Sequence, residues 1–213
     1  MDSTLLYVAY GSNLNRRQME HRCRTAQVYG TGRIQNYRLA FKTVGTYAYA
    51  TIEPCRGEHV PVAVWRLGRG DEAGLDRYEG YPLHYVKKAV EVILEDGDVI
   101  KGMVYVMNPK AVYGLPTGSY LDCIWEGYQS FRFDEHKLYE AWHRAGGFSG
   151  QNIMKVCREW TGMTQSQLAD HAGIPVRSIQ KYESGERSIQ RAGACVVLHL
   201  AEALGISPYL LVK

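Results

Sequence analysis

At 213 residues, 46% hydrophobic and 22% charged, with a formal net charge of +3, the chain has the composition of a globular protein with one large domain, or a main domain and an appendage. The charge is too small for nucleic-acid binding to rest on it, so any such function must come from pattern. No apolar run approaches the ~18 residues of a membrane span, and MDSTLLYVAY sets an acid before a short apolar run, unlike a signal peptide, so the chain reads as cytoplasmic with no membrane partner.

The first element is a short strand, LLYVAY (5–10), which stops at Gly11-Ser12-Asn13 before a helical patch over about 15–23. That loop lacks the glycine spacing of a dinucleotide fingerprint, the lysine of a P-loop and the G-x-S-x-G of a nucleophile elbow. Taken alone it is a turn. Arg16, Arg17, Arg22 and Arg24 read as a solvated helix face. Strands follow at 48–54, 60–67, 84–94 and 99–107, where β-branched and aromatic residues partly alternate with polar ones. Glu95-Asp96-Gly97-Asp98 turns the last two into a hairpin. Helical patches at 71–78 and 119–143 complete an α+β domain with a small closed barrel.

One residue stands out. The helix from about Asp71 ends at Gly80-Tyr81-Pro82, which leaves Glu79 in the last turn, where a carboxylate opposes the helix dipole. With Tyr78, Tyr81 and Tyr85 as neighbours, partial desolvation raises its pKa and suits it to general acid–base work. Cys23, Cys55, Cys123, Cys157 and Cys195 are odd in number and scattered, with no C-x-x-C pair, so neither a disulfide framework nor a metal site is expected.

After RAGGFSGQN (144–152) the pattern becomes helical: about 152–160, 164–171, 176–183, 189–204 and 207–212. Thr164 and Gln167 form a capping box, Gly205 closes a helix, and Ser207-Pro208 opens the last. The expected domains are 1–146, a linker at 147–151, and a small five-helix domain at 152–213.

MTQSQLADHAGIPVRSIQKYESGERS (163–188) turns Leu168 and Ala169 inward, bends at Ala172-Gly173-Ile174, and lays Ile179 and Tyr182 across the first helix. It resembles the Xre family of lambda-repressor-like helix-turn-helix domains. The resemblance implies double-stranded DNA as partner, with binding as a dimer to half-sites. Val176, Arg177, Gln180 and Lys181 would face base edges, and Gln165 and Arg187 would meet phosphates. Pro175 departs from the family by replacing the usual capping Ser or Thr.

Residues 4 to about 143 resemble the γ-glutamyl cyclotransferase-like (AIG2-like) superfamily. The resemblance is carried by Tyr10-Gly11-Ser12-Asn13-Leu14 after the first strand and by LDRYEGYP some 65 residues later. It continues through Ala50-Thr51-Ile52-Glu53-Pro54, MVYVMN (103–108) and YLDCIWEGYQSFRFD (120–134). It implies a small mixed β-barrel with flanking helices, and release of 5-oxoproline and an amine from a small γ-glutamyl substrate with no cofactor. Tyr10, Gly11, Ser12, Asn13 and Leu14 would form the substrate loop, Glu79 would shuttle the proton, and Tyr85, Tyr105 and Tyr120 would line the pocket. The alternative is a transcriptional regulator whose barrel senses a ligand without turnover.

Overall fold

The computed structural model describes residues 5–146, 152–206 and 208–212. The chain divides into two compact units, residues 1–146 and 147–213. The linker expected at 147–151 and the cap at Ser207 lie outside the described residues.

The first unit is a closed five-stranded barrel in the order β1-β3-β2-β4-β5. Its strands are β1 (Leu5–Ala9), β2 (Gln27–Val44), β3 (Tyr47–Leu67), β4 (Tyr85–Leu94) and β5 (Val99–Met107). The pairs are antiparallel except β1 with β5, which run parallel through Tyr7 and Met103. The barrel is therefore mixed, as the family resemblance implied. The β4–β5 hairpin turns at Gly97, whose φ of 94° suits glycine.

Two strands depart from the sequence reading. β2 was not expected, and the strands at 48–54 and 60–67 are parts of one continuous β3. Residues 37–44 of β2 pair with 47–54 of β3, and residues 27–35 pair with 59–66. The join is a bulge where Asn36 adopts φ 61° and its Oδ1 accepts from Gly57 N–H at 3.0 Å. Closure depends on Gly32: a Cβ there would collide with the Ile93 carbonyl and lie 2.9 Å from Leu94 Cα, where β4 meets β2.

Helices α1 (Arg16–Arg22), α2 (Asp71–Glu79), α3 (Gly118–Phe131) and α4 (His136–Arg144) flank the barrel. The helix expected over 119–143 is thus two helices. Arg132, at φ 55°, ends α3, and Asp134 accepts from His136 N–H at 3.0 Å where α4 begins. The core holds Val8, Leu14, Met19, Phe41, Ile52, Leu75, Val104 and Ile124, each at most 2% exposed.

The second unit consists of α5 (Ile153–Trp160), α6 (Gln165–Ala172), α7 (Val176–Glu183), α8 (Ala194–Leu204) and α9 (Pro208–Val212). The helix expected over 189–204 is interrupted: a 3-10 turn at Ile189–Arg191 precedes α8. The capping box of Thr164 and Gln167 is formed, and Gly173 and Gly205 cap α6 and α8 at φ 63° and 65°. Leu168, Ala169, Ile179 and Tyr182 pack inward with Leu200 and Leu204. Among the described residues no helix is long and apolar enough to cross a membrane.

Candidate functional site

A cavity of about 280 Å³ opens at one end of the barrel, near the lower end of small-molecule sites. Tyr7, Tyr10, Tyr85 and Tyr105 form its buried wall, with Tyr120 half-buried beside them and Tyr49, Tyr78, Val44 and His84 toward the rim. Gly11, Ser12, Asn13 and Glu79 close it on the side of the first loop.

The loop leaves β1 at Tyr10 and makes one 3-10 turn, Ser12–Leu14. Gly11 fits because a Cβ there would sit 3.1 Å from Ala50 Cβ and 3.6 Å from Tyr120 Oη. Asn15 then caps α1 by accepting from Arg17 and Gln18 N–H. Leu14 does not line the cavity. It is fully buried against Gly127 of α3, and its role is to seat the turn.

Glu79 stands at the C-terminus of α2, which Gly80 closes at φ 63°. Its Oε1 accepts from Asn13 Nδ2 at 2.9 Å. Burial raises its pKa from 4.5 to about 7, against the lowering effects of the Arg22 charge and the Asn13 hydrogen bond. Burial and the Glu79 charge likewise raise Tyr7, Tyr10, Tyr85, Tyr105 and Tyr120. The aromatic shell expected from sequence is therefore present but differently composed. Tyr81 does not line it; that ring lies 4.7 Å from the Lys87 ammonium and is 42% exposed.

The tyrosines are fixed by one another and by the backbone. Tyr10 donates to the Tyr105 carbonyl at 2.6 Å, and Tyr85 donates to the Ala50 carbonyl at 2.7 Å. Tyr120 accepts from Ala50 N–H at 3.2 Å, and Tyr105 donates to Asp76 at 2.6 Å. Sequence reading missed Tyr7, Tyr49 and Arg22, while Tyr78, expected beside Glu79, does line the cavity. Arg22 is not part of a solvated face: it donates to Ser12 Oγ at 3.2 Å, to Asn13 Oδ1, and to Gln18 at 2.8 Å. A signal for it was present, since Met19 and Cys23 are buried on the same side of α1, and a residue three after Met19 shares that side.

In the second unit the turn at Gly173 sets α7 across α6. Val176, Arg177, Gln180 and Arg187 are exposed. Lys181 is half-buried and pairs with Glu186 at 2.6 Å. Gln165 is also half-buried, its amide donating to Glu183 at 2.9 Å. Pro175 opens α7 without a side-chain cap.

Residues 7–125 match the model of the family described as gamma-glutamyl cyclotransferase, AIG2-like. The chain belongs to this family. Residues 154–211 match a helix-turn-helix domain, so the chain joins a cyclotransferase-like barrel to a helix-turn-helix unit. Gamma-glutamylcyclotransferase of Bos taurus is 33% identical over 113 residues, covering 49% of this chain and 60% of that protein. The Homo sapiens protein of the same name is 32% identical over 115 residues, covering 50% and 61%. The chain thus spans about three-fifths of the curated relatives it matches. A solved gamma-glutamyl cyclotransferase superposes with a TM-score of 0.60 at 26% identity, over 65% of this chain and 86% of that one. YkqA from Bacillus subtilis, at 18% identity and a TM-score of 0.58, covers 68% of this chain and 55% of its own; it shares the fold.

Proposed function

We propose that the cyclotransferase-like barrel is an enzyme that releases 5-oxoproline and a free amine from a γ-glutamyl substrate, and that the helix-turn-helix unit binds double-stranded DNA. The observation that carries the first half is the Glu79 carboxyl, held by Asn13 in a tyrosine-walled cavity with its pKa near 7. A group poised there both accepts and returns a proton near neutral pH.

The chemistry is an internal displacement. Ionised Glu79 takes a proton from the α-ammonium of the γ-glutamyl group, and the freed amine attacks the γ-carbonyl to form the C–N bond of the lactam. The tetrahedral oxyanion is met by N–H groups at the start of the Gly11–Asn13 turn. On collapse the bond to the leaving amine breaks and its nitrogen takes that proton from Glu79; Glu79 then carries the surplus proton of the ring nitrogen to the same amine, which leaves as an ammonium. Ring closure needs orientation and these two proton transfers through one carboxyl. Tyr10, Tyr85, Tyr105 and Tyr120 supply the orientation as rigid walls. In the second unit, Val176, Arg177 and Gln180 present the face that reads bases.

The test is 5-oxoproline release from a panel of γ-glutamyl amines. Glu79→Gln is expected to lower it by roughly 10²–10⁴-fold with the fold intact by circular dichroism. Wild type releasing nothing across the panel would overturn the enzyme reading in favour of a barrel that senses its ligand without turnover.

A further inference from the structure

Asn13 is fully buried and its amide is spent inside the protein. Nδ2 donates to Tyr7 Oη at 2.7 Å and to Glu79 Oε1 at 2.9 Å, while Oδ1 accepts from Arg22 Nη1. An amide can be turned either way in such a place, but a guanidinium only donates. With Arg22 on one side, the oxygen must face Arg22, and the N–H groups must face Tyr7 and Glu79.

We propose that Arg22 is a positioning residue of this site, locking the Asn13 amide so that its N–H is presented to Glu79 and the carboxylate is held as an acceptor at the cavity wall. The proposal rests on Glu79 being the proton shuttle; its direct test does not need turnover.

Arg22 is not arranged as a hook for a substrate anion. Nη1 serves both Ser12 and Asn13, Nη2 serves Gln18, and the guanidinium carbon lies 3.4 Å from the centroid of the Tyr78 ring. Stacking and hydrogen bonds thus fix the plane of the fork. Among the described residues no carboxylate forms an ion pair with it, so its charge is not cancelled close by. That charge lowers the Glu79 pKa, which burial raises. The other groups facing Glu79 are Tyr7 and Tyr10 from β1 and its end, Tyr85 from β4, Tyr105 from β5 and Tyr120 from α3. Tyr78 and His84 share the cavity wall. Asp76 sits behind Tyr105, already bound to it and to Lys87.

Without Arg22 the amide is free to turn its oxygen toward Glu79, which then pairs better with a protonated carboxyl. Two effects therefore act together in one direction: a lost cation and a lost donor both favour the protonated acid.

The experiment is a pH titration of the full-length protein carrying ¹³C-carboxyl glutamate, followed by NMR. The Glu79 signal is assigned by its disappearance in Glu79→Gln. Arg22→Met is expected to move the midpoint up by about one pH unit or more, and Arg22→Lys to restore most of the difference. In activity, Arg22→Met should lose about fivefold in kcat at pH 7 and regain most of it at pH 9, with KM nearly unchanged, because only the ionised fraction of Glu79 has moved. An unmoved midpoint in folded Arg22→Met overturns the proposal, as does a raised KM with unchanged kcat, which would make Arg22 a substrate contact. If Arg22→Met does not fold, Asn13→Ser removes the amide between guanidinium and carboxylate. Its midpoint should also rise, and an unmoved one overturns the proposal. A shifted midpoint in a protein that releases no 5-oxoproline supports the positioning role while the enzyme reading fails on its own.

Discussion

Glu79 combines two things that a protein of modest stability ordinarily avoids: a carboxylate at a helix C-terminus, and a carboxylate taken out of water. Its pKa, raised by burial from 4.5 to about 7, turns this into a measurable linkage. Between those values the native state holds a proton that the unfolded chain has released, so folding stability falls as pH rises through the interval. Below about pH 4.5 both states are protonated and nothing is lost; above about 7 the loss is complete. At ~1.4 kcal/mol per unit, discounted for the partial exposure of the side chain, the loss is about 1–3 kcal/mol. Glu79→Gln removes the titration while keeping the shape. Urea unfolding of the barrel is expected to show the variant level with wild type near pH 4 and more stable by about 1–3 kcal/mol at pH 8. A difference that does not vary with pH would mean that the carboxyl titrates as it does in water. The gain of stability on deleting a functional group is what a site selected for chemistry shows.

At the scale of elements, the loop that presents Ser12 and Asn13 is seated from behind by α3. Gly127 of α3 lies against the turn: a Cβ there would come within 2.5 Å of Leu14 Cβ, 2.9 Å of its carbonyl carbon and 3.0 Å of Asn15 N. Backbone cannot yield as a flexible side chain can, so Gly127→Ala should push the turn into the cavity. Against this stands the gain in helix propensity of ~1 kcal/mol. The expected net cost is about 1–3 kcal/mol in thermal or urea unfolding, together with weakened substrate turnover. Wild-type stability in this variant would show that α3 moves aside freely. Such contacts also mark where sequence reading stopped. The β4–β5 hairpin was legible because Gly97 sits between two alternating runs, and α6 because Thr164 and Gln167 are three apart. β2 was not, because Gly30, Gly32 and Asn36 interrupt its alternation at the places where it bulges and closes against β4. Glu79 was legible from its position on α2. Arg22, Tyr7 and the orienting role of Asn13 were not, because they matter only once β1, α1 and α2 are brought together across 66 residues of chain.

For the whole molecule, the chain joins a cyclotransferase-like barrel to a unit of helix-turn-helix form, and the two carry 18 and 7 Lys or Arg against 17 and 5 Asp or Glu when divided near residue 150. Neither is basic enough for phosphate neutralisation alone to hold DNA tightly. On the proposed DNA binding, the exposed face of α7 would supply a large part of the affinity through a few direct contacts. Two of the six side chains expected there are already engaged, Lys181 with Glu186 and Gln165 with Glu183. This leaves Arg177 and Gln180 as exposed groups able to make bidentate contacts, the first suited to guanine and the second to adenine. Selection from random double-stranded DNA by the full-length protein should therefore enrich a short motif containing guanine. Arg177→Ala should weaken binding to the enriched sequence by roughly 1–3 kcal/mol, while binding to a scrambled duplex changes much less. An equal loss on both duplexes would make Arg177 a phosphate contact and move the reading of bases to Gln180. Selection that enriches no motif would remove the DNA-binding half of the proposal, and leave the helix-turn-helix unit as a surface for protein partners.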